Sequence, residues 1–145
     1  MAIVECVRGF VDAVNAADVT RMCTLMTEDH LFVDSDGAEV RGRESMRRSW
    51  VQYFRMMSHY HIEVTETFCE AGTVILVGTA SGDCAADGTA TAASHWTVPA
   101  AWRAVVRDGR VAVWQVFVNP EPIRRAMHGS QEGAVQPGAA PDHRR

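Results

Sequence analysis

The sequence predicts an α+β fold with three N-terminal helices on one side of an antiparallel sheet; a curved sheet wrapped around those helices would make it a cone-shaped α+β barrel with an apolar pocket between the layers. Three observations predict it. Apolar residues recur at helical spacing in the first third of the chain, alternate at strand spacing through most of the remainder, and flank an Asp108-Gly109 turn that joins two long runs rich in Val, Ala and Trp.

The first helix follows from Ile3, Val7, Phe10, Val11 and Val14, and ends near residues 15–17. Asp18 is placed to cap a shorter second helix with Met22, Leu25 and Met26 on its buried face, because its side chain can accept a free N–H of the first turn. Leu31 to Ser35 reads as a short strand broken by Asp36-Gly37. Gly42 precedes a third helix that carries Met46, Trp50, Tyr53, Phe54 and Met57 on one face, with Arg43, Arg47 and Arg55 turned away.

Strand alternation then takes over. Tyr60, Ile62, Val64 and Phe68 form one face, and His59, His61, Glu63, Thr65 and Thr67 the other. Glu70-Ala71-Gly72 turns the chain into a strand from Thr73 to about Cys84, whose small residues, Gly78 and Ala80 among them, predict a bend or a close approach by other backbone. Residues 85–93 read as a flexible loop. Pro120 and Pro122 end the sheet, Ile123 to Met127 adds a helical turn, and the composition of 129–145 predicts a disordered tail, leaving 1–128 as the domain.

The hairpin at Asp108-Gly109 sets a register. A two-residue loop pairs Arg107 with Arg110, so counting outward places Ala104 opposite Val113, Arg103 opposite Trp114, Trp102 opposite Gln115 and Ala100 opposite Phe117. One face then holds Trp96, Trp102, Val113 and Phe117; the other holds His95, Ala101, Arg103, Trp114 and Val116. Both faces are mainly apolar, so both are expected to be covered, one by the helices and one by a second copy of the chain. The expected partner is therefore a homodimer mate, held through the face bearing Trp96, Trp102 and Phe117.

Composition excludes several function classes. A formal charge of -4 gives no electrostatic case for nucleic acid or an anionic membrane, and no apolar run approaches the roughly 18 residues of a membrane span. The start, MAIVECVRGF, lacks the separate apolar block of a signal peptide, so a cytoplasmic protein is expected. Cys6, Cys23, Cys69 and Cys84 show no C-x-x-C spacing and read as buried free thiols. No P-loop, G-x-S-x-G, H-E-x-x-H or dinucleotide fingerprint is present. Arg41, Arg43, Arg47 and Arg48 are interleaved with Glu39 and Glu44 and read as a solvated helix start.

The stretch FVDAVNAADVTRMCTLMTEDHLFVDS, the R-G-R-E-S-M start of the third helix and the VVRDGRVAVWQVF hairpin together resemble the SnoaL-like branch of the nuclear transport factor 2-like superfamily, which includes ketosteroid isomerases, polyketide cyclases and limonene epoxide hydrolases. The resemblance spans about Ile3 to Met127. It implies that Asp34 stands where the isomerases carry their catalytic aspartate, while Phe10 and Ala101 stand where they place two oxyanion donors. Neither residue can donate, and losing one such donor commonly costs about 10²–10³ in rate, so steroid isomerisation by that route is not expected. The resemblance also implies a pocket lined by Phe10, Trp50, Tyr53, Met57, Ala101, Arg103, Trp114 and Val116 for a small hydrophobic ligand.

Each candidate carries two readings. Asp34, sharing a strand face with Phe32, is a general base if burial raises its pKa, or a cap on the Asp36-Gly37 turn. Arg103 either holds an oxyanion, with His95 beside it, or forms a structural ion pair with Asp34 or with another acid such as Glu66. Trp114 either floors the cavity or packs in the core. His59, His61 and His95 lack a further ligand in register and read as solvent-facing rather than as a metal site. Proton transfer of this kind requires no cofactor. The expected chemistry is isomerisation, cyclisation or hydration, with a non-catalytic binding module as the alternative.

Overall fold

A computed structural model of the chain describes residues 2–84 and 94–130. The elements are α1 (Ala2–Asn15), α2 (Val19–Thr24), β1 (Met26–Val33), β2 (Glu39–Arg41), α3 (Arg43–Met56), β3 (Met57–Glu70), β4 (Thr73–Cys84), β5 (His95–Arg107), β6 (Arg110–Val118) and α4 (Glu121–Ser130). They form the expected α+β arrangement around a six-stranded, curved and unclosed sheet in the order β2-β1-β6-β5-β4-β3. Because β1 runs parallel to β6, the sheet is mixed rather than wholly antiparallel. The expected loop at 85–93 and residues 131–145 of the expected tail lie outside the described residues, while Gly129 and Ser130, expected in that tail, belong to α4.

Local sequence explains most boundaries. Asp18 accepts the Arg21 N–H at 3.1 Å and caps α2. Asp108 and Gly109 both take positive φ, the conformation a two-residue hairpin turn demands. The β1 strand starts earlier than Leu31, and β2 and the full length of α4 have no counterpart in the sequence pattern. At Gly78 an added Cβ would lie 1.8 Å from the Glu63 carbonyl oxygen, which is the close backbone approach that the small residues of β4 predicted.

Two bulges decide which way the strand side chains face. In the β5–β6 hairpin Val106 lies opposite Val111 but Val105 lies opposite Val113, leaving Ala112 unopposed. Beyond this point the partners are Ala104–Trp114, Arg103–Gln115, Trp102–Val116 and Ala101–Phe117, each shifted by one from the count outward from the turn. A one-residue slip carries a strand's side chains to the opposite face.

The consequence corrects the expected faces. Trp96, Val98, Ala100, Trp102 and Ala104 are buried with Trp114 in the core formed with the helices, so the Trp96 and Trp102 face is concave and interior rather than partner-facing. Ala101, Arg103, Gln115 and Phe117 lie on the convex face, where Phe117 is 49% exposed.

A second bulge at Thr65 of β3, between the Val64–Gly78 and Glu66–Val77 pairs, likewise turns Phe68 outward, where it is 57% exposed rather than buried beside Ile62. Of the four cysteines, Cys23 and Cys84 are buried, Cys6 is half-buried and Cys69 is exposed, which corrects the last of these.

Candidate functional site

Asp34 follows the last residue of β1 and closes a tight turn. Its backbone N–H donates to the Ala38 carbonyl at 3.0 Å, and its side-chain Oδ1 accepts the N–H groups of Asp36 and Ala38, both at 2.9 Å. Oδ1 thus caps the turn, as one of the two sequence readings expected, whereas Oδ2 is buried with no hydrogen-bond partner among the described residues. The residue is only 2% exposed. Burial pushes its pKa above the ordinary carboxyl value, outweighing the Ala38 and Asp36 N–H groups that favour the charged form.

Phe32, two residues earlier and within β1, lines a small cavity between helices and sheet, and Asp34 is not among the residues that line it. Its aromatic walls are Phe32, Trp50, Tyr53, Tyr60 and Trp96; Ala80, Ala100, Val116 and Val118 fill in from the sheet, and Ile123 of α4 closes it. Neighbouring rings stand nearly at right angles: Trp50 and Tyr53 at 88° with centroids 5.9 Å apart, and Tyr53 and Tyr60 at 86° and 5.3 Å. The volume is about 20 Å³, room for about one water.

Trp50 Nε1 is buried without an acceptor. Burial drives the Tyr53 and Tyr60 phenols well above their ordinary range, so both keep their protons at any physiological pH. Arg124 of α4 donates to Asp36 at 3.1 Å, tying the closing helix to the Asp34 turn.

The expected site residues separate into three groups. Trp50, Tyr53 and Val116 line the cavity. Phe10, Met57 and Trp114 are buried around it: Phe10 packs on Trp114 with centroids 4.8 Å apart, and Met57 Sδ accepts the Trp96 indole N–H at 3.1 Å.

Ala101, Arg103 and His95 belong to the other side of the sheet, and their placement in the pocket is corrected. Arg103 donates to Gln115 Oε1 at 3.3 Å and forms no ion pair with Asp34. His95 donates through Nδ1 to Asp83 at 2.6 Å, while His59 Nδ1 meets the other Asp83 oxygen at 3.0 Å. These contacts, the His95 bond first, hold the Asp83 carboxyl below its ordinary pKa. His61 takes no part, and among the described residues no group of three or more His, Cys, Asp and Glu is arranged to hold a metal.

Sequence pattern alone did not reveal Tyr60, Trp96 and Ile123 as cavity residues, nor His30. Tyr60 carried a usable signal, since it alternates with the polar face of β3 and closely follows the third helix. His30 is fully buried; its Nδ1 donates to the Val111 carbonyl at 2.8 Å, leaving Nε2 without a partner. Burial holds its pKa below the usual imidazole value.

The sequence model of the SnoaL-like domain matches residues 7–114. The chain belongs to the SnoaL-like domain family. Comparison with curated proteins finds no match. Among solved structures, this SnoaL-like protein is similar to a hypothetical protein of ketosteroid isomerase-like fold from Catenulispora acidiphila, in complex with trimethylamine, at 20% identity and TM-score 0.73, covering 88% of this chain and 94% of that one. It is also similar to an LEH-like epoxide hydrolase of M. tuberculosis, at 11% identity and TM-score 0.73 with 89% and 91% covered. At these identities the likeness establishes the fold. No helix among the described residues is long and apolar enough to cross a membrane.

Proposed function

We propose that this SnoaL-like protein handles a small molecule in the aromatic cavity and that Asp34 acts there as general base. The observation that supports the proposal is the Asp34 carboxyl itself, which lies two residues beyond cavity-lining Phe32 but is not among the lining residues: one oxygen is fixed by two backbone N–H groups, and the other is buried and unpartnered. A raised pKa makes such a group a stronger proton acceptor near neutral pH. Trp50 Nε1–H and the protonated Tyr53 and Tyr60 hydroxyls are the donors available to a developing oxyanion, in the role that the sequence suggested for Arg103 and His95. Cofactor-independent isomerisation, cyclisation or hydration fits this set.

The size of the cavity favours a second reading, a binding module without chemistry. About 20 Å³ is far below the roughly 300–1,000 Å³ of a drug-sized site, so a substrate enters only if α4 moves. Native mass spectrometry of the purified protein, followed by turnover assays on any captured compound, tests both readings. The enzyme reading expects Asp34→Asn to abolish turnover while binding persists; full turnover in that variant removes Asp34 from the mechanism.

The homodimer is proposed on the convex face instead of the Trp96 and Trp102 face. Phe117 and Phe68 are exposed there, with Ile75, Val77, Val105 and Val113 half-buried around them. Light scattering that gives a monomer at micromolar concentration would refute it.

A further inference from the structure

We infer that the outer face of α3 is a docking surface for an acidic segment of another protein, one that presents carboxylates around an apolar side chain. The helix buries Met46, Trp50 and Tyr53 against the rest of the fold. Its opposite face leaves Arg48, Val51, Gln52 and Arg55 exposed, at the three- and four-residue spacing that makes neighbours along a helix surface.

Net charge conceals this face. The chain contains no lysine, so all fourteen of its basic residues are arginine, and five of them fall within residues 41–56 beside one acid, Glu44. That stretch carries +4 while the whole chain carries -4, which leaves -8 on the remaining residues. The structure then divides the five. Arg41 and Arg43 turn back to the Asp29 and Met26 carbonyls, at 3.2 and 3.4 Å. Arg47, Arg48 and Arg55 instead stand around Val51, Gln52 and Met56 in an open recess of about 500 Å³.

These three guanidinium groups are lightly engaged. Arg47 and Arg48 share Glu44 at 3.3 and 3.9 Å, in solvent-exposed contacts of the kind that contribute little. Arg55 has no acidic partner among the described residues. A planar guanidinium grips a carboxylate through two parallel N–H groups, so a partner's aspartates or glutamates match this face in charge and in shape. Val51 lies between Arg48 and Arg55 in the sequence and is one of three large apolar residues exposed among the described residues, which gives the charged face an apolar anchor point. That anchor favours a protein segment over a polyphosphate. A nucleic-acid backbone sets no apolar side chain on Val51, and both a polynucleotide and an anionic bilayer extend past α3 to the -8 on the remaining chain.

The test titrates the full chain into a short fluorescein-labelled peptide of glutamates flanking a central leucine, and into the same peptide with glutamine for glutamate. Fluorescence anisotropy is read at about 50 mM and about 300 mM salt. At low salt the acidic peptide is expected to bind at least about tenfold tighter than the glutamine peptide, and at high salt to lose most of that margin. Arg48→Glu with Arg55→Glu is expected to abolish the margin; both side chains are exposed and Arg55 loses no ion pair, so the fold is retained. Arg8→Glu with Arg110→Glu makes the same change of net charge at exposed positions away from α3, and is expected to leave affinity within about twofold. Val51→Ser is expected to weaken the acidic peptide about threefold without altering its salt dependence. Equal losses in the two double variants would reduce the effect to net charge and overturn the inference. So would equal affinity for the two peptides, or tighter binding of a thymidine oligonucleotide or of phosphatidylserine vesicles than of the acidic peptide.

Discussion

Replacing Asp34 with Asn isolates the electrostatic cost of burying that carboxyl. The amide oxygen can still accept the two 2.9 Å bonds from Asp36 and Ala38, while a neutral NH₂ takes the place of the unpartnered Oδ2. In the wild type the folded pKa lies above the ordinary value of about 3.9 that the unfolded chain keeps. Between those two values the folded protein retains a proton that the unfolded chain has released. The contribution of protonated Asp34 to stability is thus fully present below about pH 4 and is lost as pH rises through the folded value.

The amide in Asp34→Asn does not titrate, so the stability of the variant minus that of the wild type should climb across this window. Its total rise reads out how far burial has raised the folded pKa, at about 1.4 kcal/mol for each pH unit between the folded and unfolded midpoints. Urea unfolding of both proteins at half-unit steps from pH 3.5 to pH 8 gives this difference, and any constant offset from the new amide cancels out of its slope. A difference that stays flat across the range would mean that the carboxyl titrates in the fold as it does in the unfolded chain. Asp34 would then be neither dry nor base-like.

Three further outcomes are expected. His30 is held neutral by burial, so its contribution is present above about pH 6.5, where the unfolded imidazole is also neutral, and is lost as pH falls through the lower folded value; thermal unfolding between pH 5 and pH 7.5 should show a smaller acid slope in His30→Phe than in wild type. Gly78→Ala forces a Cβ to 1.8 Å from a backbone oxygen that cannot swing aside, and should cost more than about 3 kcal/mol or leave the protein insoluble, read as the urea midpoint or the soluble yield. Arg103→Ala, on the convex face with Gln115, should leave ligand affinity and turnover within about twofold of wild type, and a larger loss would return Arg103 to the site.

The parts of the fold that local chemistry sets were legible in the sequence. The apolar spacing of Val7, Phe10, Val11 and Val14 marks α1, the Asp18 cap marks α2, and the Asp108-Gly109 turn fixes the hairpin, because each signal acts within a few residues. In the candidate site, Trp50 and Tyr53 were reached the same way, from a helix face, and Asp34 from a strand end, whereas Val116 was named through the resemblance and on a face that the bulge reassigns. The sides of β5 and β6 were not legible. With apolar residues on both faces of the hairpin, alternation carries no information about which face turns inward, and a register counted from the turn holds only as far as the first bulge.

The bulge is set by contacts far along the chain. Both backbone polar groups of Val111 are taken by the region of β1: its N–H donates to the Leu25 carbonyl at 2.6 Å, and its carbonyl accepts from His30 Nδ1 at 2.8 Å. Ala112 follows without an opposite residue, and from there Trp114, Val116 and Val118 turn toward the interior while Gln115 and Phe117 turn out. Had β6 continued in the register of its turn, Gln115 and Phe117 would share the face of Trp102, and the cavity would lose the Val116 and Val118 wall. His30 lines no part of the cavity, yet it anchors the strand that furnishes one side of it. The residue that positions this site therefore lies outside it, in a segment whose sequence reads only as the exit from a short helix.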